Sequence, residues 1–301
     1  MVDSFFPVVN DFPRPDWGQI WDEVDKLPQE QHESEIFKWS QLWLDKILSA
    51  LPDSYRQVDS ENFHLISSES EKYEKLLLGY FENALRRILQ SLNGIASDEG
   101  SGKYVALVFS EPDIYYNYIS YFYPEEGEFA LSAGIYLNRG YGHFVFPFNE
   151  MADAEATAAH EMTHACLAHL PIPLWLNEGL AVTIEDELCG TQPLRMTNER
   201  LSEHREFWNE HTIQEFWSGQ SFGRPDEGQS LSYELGRYCV RALAHDYDAF
   251  VDFANKASYE DAGDNAAVEV YGGGVGGLIE QFFGENDWSP KPEQWGESNA
   301  N

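Results

Sequence analysis

Residues 152–190 read ADAEATAAHEMTHACLAHLPIPLWLNEGLAVTIEDELCG. The segment is rich in alanine up to Leu170, is interrupted by Pro171-Ile172-Pro173, and resumes at Leu174. Alanine is the best helix former, a proline pair stops a helix, and a glycine just past the last apolar residue caps one. The pattern therefore predicts a buried helix from Met151 to Leu170 and a second from Leu174 to Leu188, closed by Gly190. On the first lies His160-Glu161-Met162-Thr163-His164, an H-E-x-x-H pattern. On the second, fourteen residues after His164, stands Glu178 within Trp175-Leu-Asn-Glu-Gly-Leu-Ala181.

Residues four apart on a helix differ by roughly 40° around its axis, so His160 and His164 present their imidazoles to one point a turn apart. One divalent ion can take both. Glu161 is roughly 100° round from His160, which puts its carboxylate beside such an ion, where a general base acts on a water. A catalytic zinc needs a third protein ligand and an open position. The pattern H-E-x-x-H-x-x-G-x-x-H would supply a histidine, but this chain has Leu167 and Leu170 where its glycine and histidine fall. A glutamate from the following helix is the other solution, and Glu178 is well placed for it. Glu185, seven residues on and roughly 20° away around the same helix, could accept the second N–H of a ligating histidine. Asp186, roughly 80° off Glu178, is the weaker candidate. His169 falls on the opposite face of the first helix, and His64, His143, His204, His211 and His245 have no comparable partner spacing.

Working outward, residues 1 to about 30 mix Pro, Asp and Trp without a clean period and predict an extended arm lying on the body by its aromatic side chains. Glu33 to Leu51 is one amphipathic helix stopped by Pro52, and Ser70 to Leu92 a longer one after the β-prone run Asn62 to Ser67. Lys103 to Phe109, Ile114 to Tyr123, Phe129 to Leu137 and His143 to Phe148 read as further strands of a mixed or antiparallel sheet of about four or five strands. The tyrosines at 115, 116, 118, 121 and 123 are then expected on the sheet faces. Beyond a polar stretch from Gln192 to Gln229, Tyr233 to Asp246 and Tyr247 to Ala257 are helical. The glycine run after Tyr271 lacks the G-x-x-x-x-G-K-[ST] arrangement and reads as a turn between helices, and the tail from Asn286 as loose.

Composition narrows the partners. With 52 acidic against 19 basic residues the formal charge is −33, which repels nucleic acid and anionic membranes. Three widely spaced cysteines, never in C-x-x-C, indicate neither a disulfide framework nor a thiolate metal site. No basic leader and no run of 18 apolar residues is present, so a soluble, cytoplasmic protein is expected. The 43% hydrophobic content of 301 residues is enough for a sizeable core.

From His160 to Glu185 the sequence resembles a gluzincin, the thermolysin-like group of metallopeptidases, and the WLNEGLA segment is similar to the aminopeptidase N and leukotriene A4 hydrolase family. The resemblance implies that His160, His164 and Glu178 bind zinc and that Glu161 is the general base. Ser232-Tyr-Glu-Leu-Gly236 is similar to the Y-E-K-G segment where that family places a catalytic tyrosine, which implies an oxyanion-stabilising role for Tyr233; Leu235 stands where the family has lysine. The G-x-M-E-N motif that holds a substrate's free amino group in that family is absent, its nearest counterpart being Ser132-Ala-Gly-Ile-Tyr-Leu-Asn138. An extended peptide pairing with that run suits an endopeptidase.

The expected architecture is therefore α+β, a two-lobed zincin fold: an N-terminal extension over 1–55, an upper lobe with a mixed sheet and the metal-binding helices over 56–190, and a helical lower lobe over 191–301. The expected activity is zinc-dependent hydrolysis of peptide bonds in a peptide or protein substrate, through a zinc-bound water and Glu161. The alternatives are a zinc aminopeptidase and a non-proteolytic binding protein on the same fold.

Overall fold

The structure, a computed structural model, describes residues 2–98, 102–123, 134–147, 151–190 and 196–296. It is an α+β protein whose chain divides into two compact units, one of residues 1–89 and 98–165 and the other of 90–97 and 166–301.

The first unit opens with a short hairpin, β1 (Val8–Val9) and β2 (Phe12–Pro13), and two helices, α1 (Trp17–Val24) and α2 (Gln29–Ala50). The expected extended arm is thus partly helical. Asp16 caps α1 by accepting from the Gln19 amide at 3.0 Å, and Trp17, Ile20 and Val24 recur at i, i+3 and i+7 on its buried face. Three apolar residues over two turns are too short a period to stand out in a Pro- and Asp-rich segment. These residues are not an appendage: Phe6, Phe12, Trp17 and Ile20 share one core with Trp43, Leu107 and Val145. Trp17 packs edge-on to Trp43 at 5.8 Å and lies so close to Gly140, whose φ is +81°, that a Cβ there would meet its ring at 2.0 Å.

β3 (Arg56–Asp59) pairs antiparallel with β4 (Phe63–Ser67), and α3 (Glu71–Ser91) carries the chain to β5 (Tyr104–Phe109), parallel to β4. A helix, α4 (Pro112–Ile119), follows, and then β6 (Ile135–Leu137) and β7 (His143–Pro147) complete a mixed sheet of order β3-β4-β5-β7-β6. β5 lies between parallel neighbours and buries Val105 to Phe109 completely, as a continuous apolar run requires.

The expected strand over Ile114 to Tyr123 is α4 instead. Pro112 takes the first turn, where its missing N–H costs nothing, and Tyr115, Tyr118 and Ile119 then fall on one buried face. Aromatic residues at nearly every position fit both periods, and the proline decides between them. β6 occupies the end of the expected 129–137 strand, whose earlier part lies outside the described residues.

The second unit is helical. α5 (Met151–Leu167) runs across the division, and α6 (Leu174–Cys189) ends on Gly190 in the left-handed conformation at φ +66°. There follow α7 (Asn198–Phe207), α8 (Thr212–Trp217), α9 (Glu227–Leu243), α10 (Tyr247–Lys256), α11 (Asp264–Tyr271) and α12 (Gly276–Phe283). The division falls at Ala165, inside α5, and not after residue 190, because α6 packs on α9 at backbone contact: a Cβ on Gly179 would lie 2.6 Å from the Gly236 carbonyl oxygen. The glycine run does join two helices, α11 and α12. The tail is not loose as far as residue 296: Trp288 is buried, its carbonyl accepts from the Trp217 indole at 2.8 Å, and Gln214 bonds both the Ser289 carbonyl and the Lys291 amide.

Candidate metal centre

α5 buries Ala154, Ala158, Ala159, Met162, Cys166 and Leu167, and leaves His160, Glu161 and His164 half-buried. Small side chains on the packed face let neighbouring backbone approach closely. At Gly134, just before β6, a Cβ would meet the Thr157 methyl at 2.4 Å, so β6 lies directly against the turn of α5 that precedes His160. One turn apart, the His160 and His164 rings have centroids 4.8 Å apart and an interplanar angle of 78°.

α5 ends at Leu167, three residues before the expected Leu170, and Pro173 precedes α6, which starts at Leu174 as expected. Ligand atoms of His160, His164 and Glu178 all lie within 4.8 Å of one another. These are the three residues whose spacing pointed to a metal, now in one place. Bonds of about 2.0–2.1 Å at tetrahedral angles would put ligand atoms roughly 3.3 Å apart, against separations here of up to 4.8 Å. Two imidazole nitrogens and one carboxylate oxygen are donors of the kinds zinc takes, and a tetrahedral ion held by these three would keep its fourth position for another ligand. Glu178 also carries a buried carboxylate oxygen, Oε2, and a buried carboxylate calls for a cation or hydrogen-bond donors. The residues present fit the ion.

Glu161 has a definite position. Its Oε2 accepts the Tyr136 backbone N–H at 2.7 Å. Among the described residues β6 is the edge of the sheet, paired with β7, and this amide is on its outer side. The contact ties the candidate base to the strand and leaves Oε1 as the other carboxylate oxygen. Sequence reading missed Tyr136 and Gly134 as partners of α5. The one available signal was the small-residue run Ser132-Ala-Gly134 before an apolar triplet, and it cannot say which helix the strand will meet.

Glu185 is half-buried on α6, two turns beyond Glu178. Asp186 is engaged elsewhere: it accepts from Arg237 at 2.9 Å and Arg241 at 3.4 Å. Arg237, almost fully buried on α9, was not anticipated from the sequence.

Tyr233 is half-buried on α9, one turn before the Gly236 crossing with α6, and its ring stands edge-on to Phe222 at 5.2 Å and 88°. Glu234 beside it receives Arg200 at 2.8 Å and His204 at 3.3 Å. Burial alone would raise the Glu234 carboxyl, but these hydrogen bonds and the Arg200 charge outweigh it and hold the pKa down to about 2. The acid that follows Tyr233 is therefore a fixed anion anchoring α9 to α7. His169 is exposed, while His64 and His143 are buried in the first unit, bonded to Asp59 and to Tyr118.

Among the described residues no helix is long and apolar enough to cross a membrane. Compared with protein-family models and with curated protein sequences, the chain matches none.

Proposed function

We propose that the chain is a zinc-dependent metallopeptidase of the gluzincin kind, hydrolysing internal bonds of a peptide or protein substrate. The observation that carries this reading is the convergence of His160, His164 and Glu178 ligand atoms within 4.8 Å, with Glu161 next in sequence to one ligand. In this reading His160, His164 and Glu178 hold the ion, and Glu185 orients a ligating imidazole. A zinc ion so held lowers the pKa of a water to about 7 and polarises a carbonyl.

The protein's own groups do the rest. Glu161, held at Oε2 by the Tyr136 amide, takes the proton of the attacking water at Oε1 and returns it to the departing amine. The Tyr233 phenol donates to the oxyanion as the carbonyl becomes tetrahedral. An extended substrate laid along the outer edge of β6 would pass beside Glu161, which is bonded to that edge through the Tyr136 amide, and this supports cleavage within a chain over removal of single terminal residues.

Metal analysis of the purified protein together with peptide cleavage by wild type and Glu161→Gln tests this. About one zinc per chain, chelator-sensitive cleavage of peptides with blocked N-termini, and a variant that keeps zinc but loses cleavage are expected. A metal-free protein, or a variant as active as wild type, refutes the proposal; cleavage confined to free N-termini replaces the endopeptidase with an aminopeptidase.

A further inference from the structure

A cavity of about 600 Å³ opens in the first unit, walled by residues that the metal centre does not use. That volume lies within the range of small-molecule sites. Its charge runs against the rest of the molecule. In a chain of net −33, two arginines, Arg14 and Arg139, line it against one carboxylate, Asp16. Both Asp16 oxygens already accept from Gln19, one from its amide at 3.0 Å and one from its side chain at 2.7 Å.

Arg14 is 3% exposed. Its Nη2 donates to the Tyr118 carbonyl at 2.7 Å and its Nε reaches the Val9 carbonyl at 3.4 Å, but Nη1 is buried with no hydrogen-bond partner among the described residues. Its guanidinium sits over the rings of Tyr118 at 4.3 Å and Tyr121 at 4.7 Å, which stabilise a cation without neutralising it. A buried charge held only by carbonyls and rings acts over a longer range than a solvated one. Of the other polar side chains of the wall, the Tyr118 hydroxyl and His143 Nε2 bond each other at 2.9 Å and His143 Nδ1 meets the Tyr141 carbonyl, while the Trp43 indole Nε1 is buried with no hydrogen-bond partner among the described residues. What remains is proline and aromatic surface.

We propose that this cavity binds a small organic carboxylate with a flat apolar body, its charge drawn by Arg14 and Arg139 and its body laid on Trp17, Tyr121 and Phe122. Inorganic phosphate could engage the two guanidinium groups but brings no apolar body for the rings. The site does not depend on the metal-centre reading.

Calorimetric titration of the full chain with 3-phenylpropanoate and 2-naphthoate, their primary amides, and inorganic phosphate is the test, on wild type and Arg139→Gln. Arg139 is exposed, so this variant keeps the fold. The acids should bind, more weakly at high salt, and the amides about tenfold or more weaker, the usual scale for losing one charge-assisted contact. Arg139→Gln should weaken the acids by a similar factor and leave the amides unchanged. Failure of both acids to bind, equal affinity for acid and amide, phosphate binding as tight as the acids, or indifference to Arg139→Gln overturns the proposal.

Discussion

Lowering the pH from 7 to 5 should destabilise the first unit through one imidazole. His143 is fully buried on β7, with Nε2 on the Tyr118 hydroxyl and Nδ1 on the Tyr141 carbonyl, both at 2.9 Å. Burial pushes its pKa down from 6.5 to about 4; the bond to the Tyr141 carbonyl opposes the shift and the nearby Arg14 charge adds to it. The unfolded chain takes up this proton near pH 6.5 and the folded chain only near 4, so stability is full above the first value and is lost as pH falls through the window between them. The difference, 6.5 − 4, is worth about 3 kcal/mol in total, of which about 2 kcal/mol is gone by pH 5. Urea unfolding of wild type and His143→Gln at both pH values isolates the term, since carboxylate titrations are common to the two proteins. Wild type should lose about 2 kcal/mol more than the variant between pH 7 and pH 5. Equal losses, or an imidazole that titrates near 6.5 by NMR, would refute the argument.

Gly140→Ala should lower the melting temperature, because the residue keeps φ at +81° and its new methyl meets Trp17; left-handed strain and overpacking each cost about 1–3 kcal/mol. Glu161→Gln should lower peptide cleavage by about a hundred- to ten-thousand-fold, the usual span for a general base, without loss of bound zinc. Of the three thiols, Cys189 is exposed while Cys166 and Cys239 are buried, and burial pushes the Cys239 thiol far up. A thiol reagent should therefore modify one cysteine per native chain and none in Cys189→Ser; a second fast-reacting thiol in the native protein would contradict the packing of α5 or α9.

The facing of His160 and His164 was legible because it is helical arithmetic, and Glu178 was reached from the excluded histidine pattern at Leu167 and Leu170 and from the family resemblance. Strands β4, β5 and β7 were legible for a similar reason: β-branched and aromatic runs bounded by turn residues have one reading. α4 was not, because Tyr-Tyr-Asn-Tyr-Ile satisfies both periods and the residue that decides between them, Pro112, stands two positions ahead of the expected strand. The N-terminal core residues and the docked tail were hidden because their order comes from distant partners, Trp43 for Trp17 and Gln214 for Ser289 and Lys291, which no local pattern announces. The hold of the Tyr136 amide on Glu161 is illegible in principle, since a backbone donor carries no side-chain signature.

The crossing of α6 and α9 has a mechanical meaning. Where helices meet through large side chains, rotamer changes can absorb a displacement; where Gly179 meets the Gly236 carbonyl there is no such cushion. Glu178 adjoins one glycine and Tyr233 is one turn from the other. At that point backbone meets backbone, so a larger residue at either glycine has to push the helices apart and carry Glu178 or Tyr233 with them.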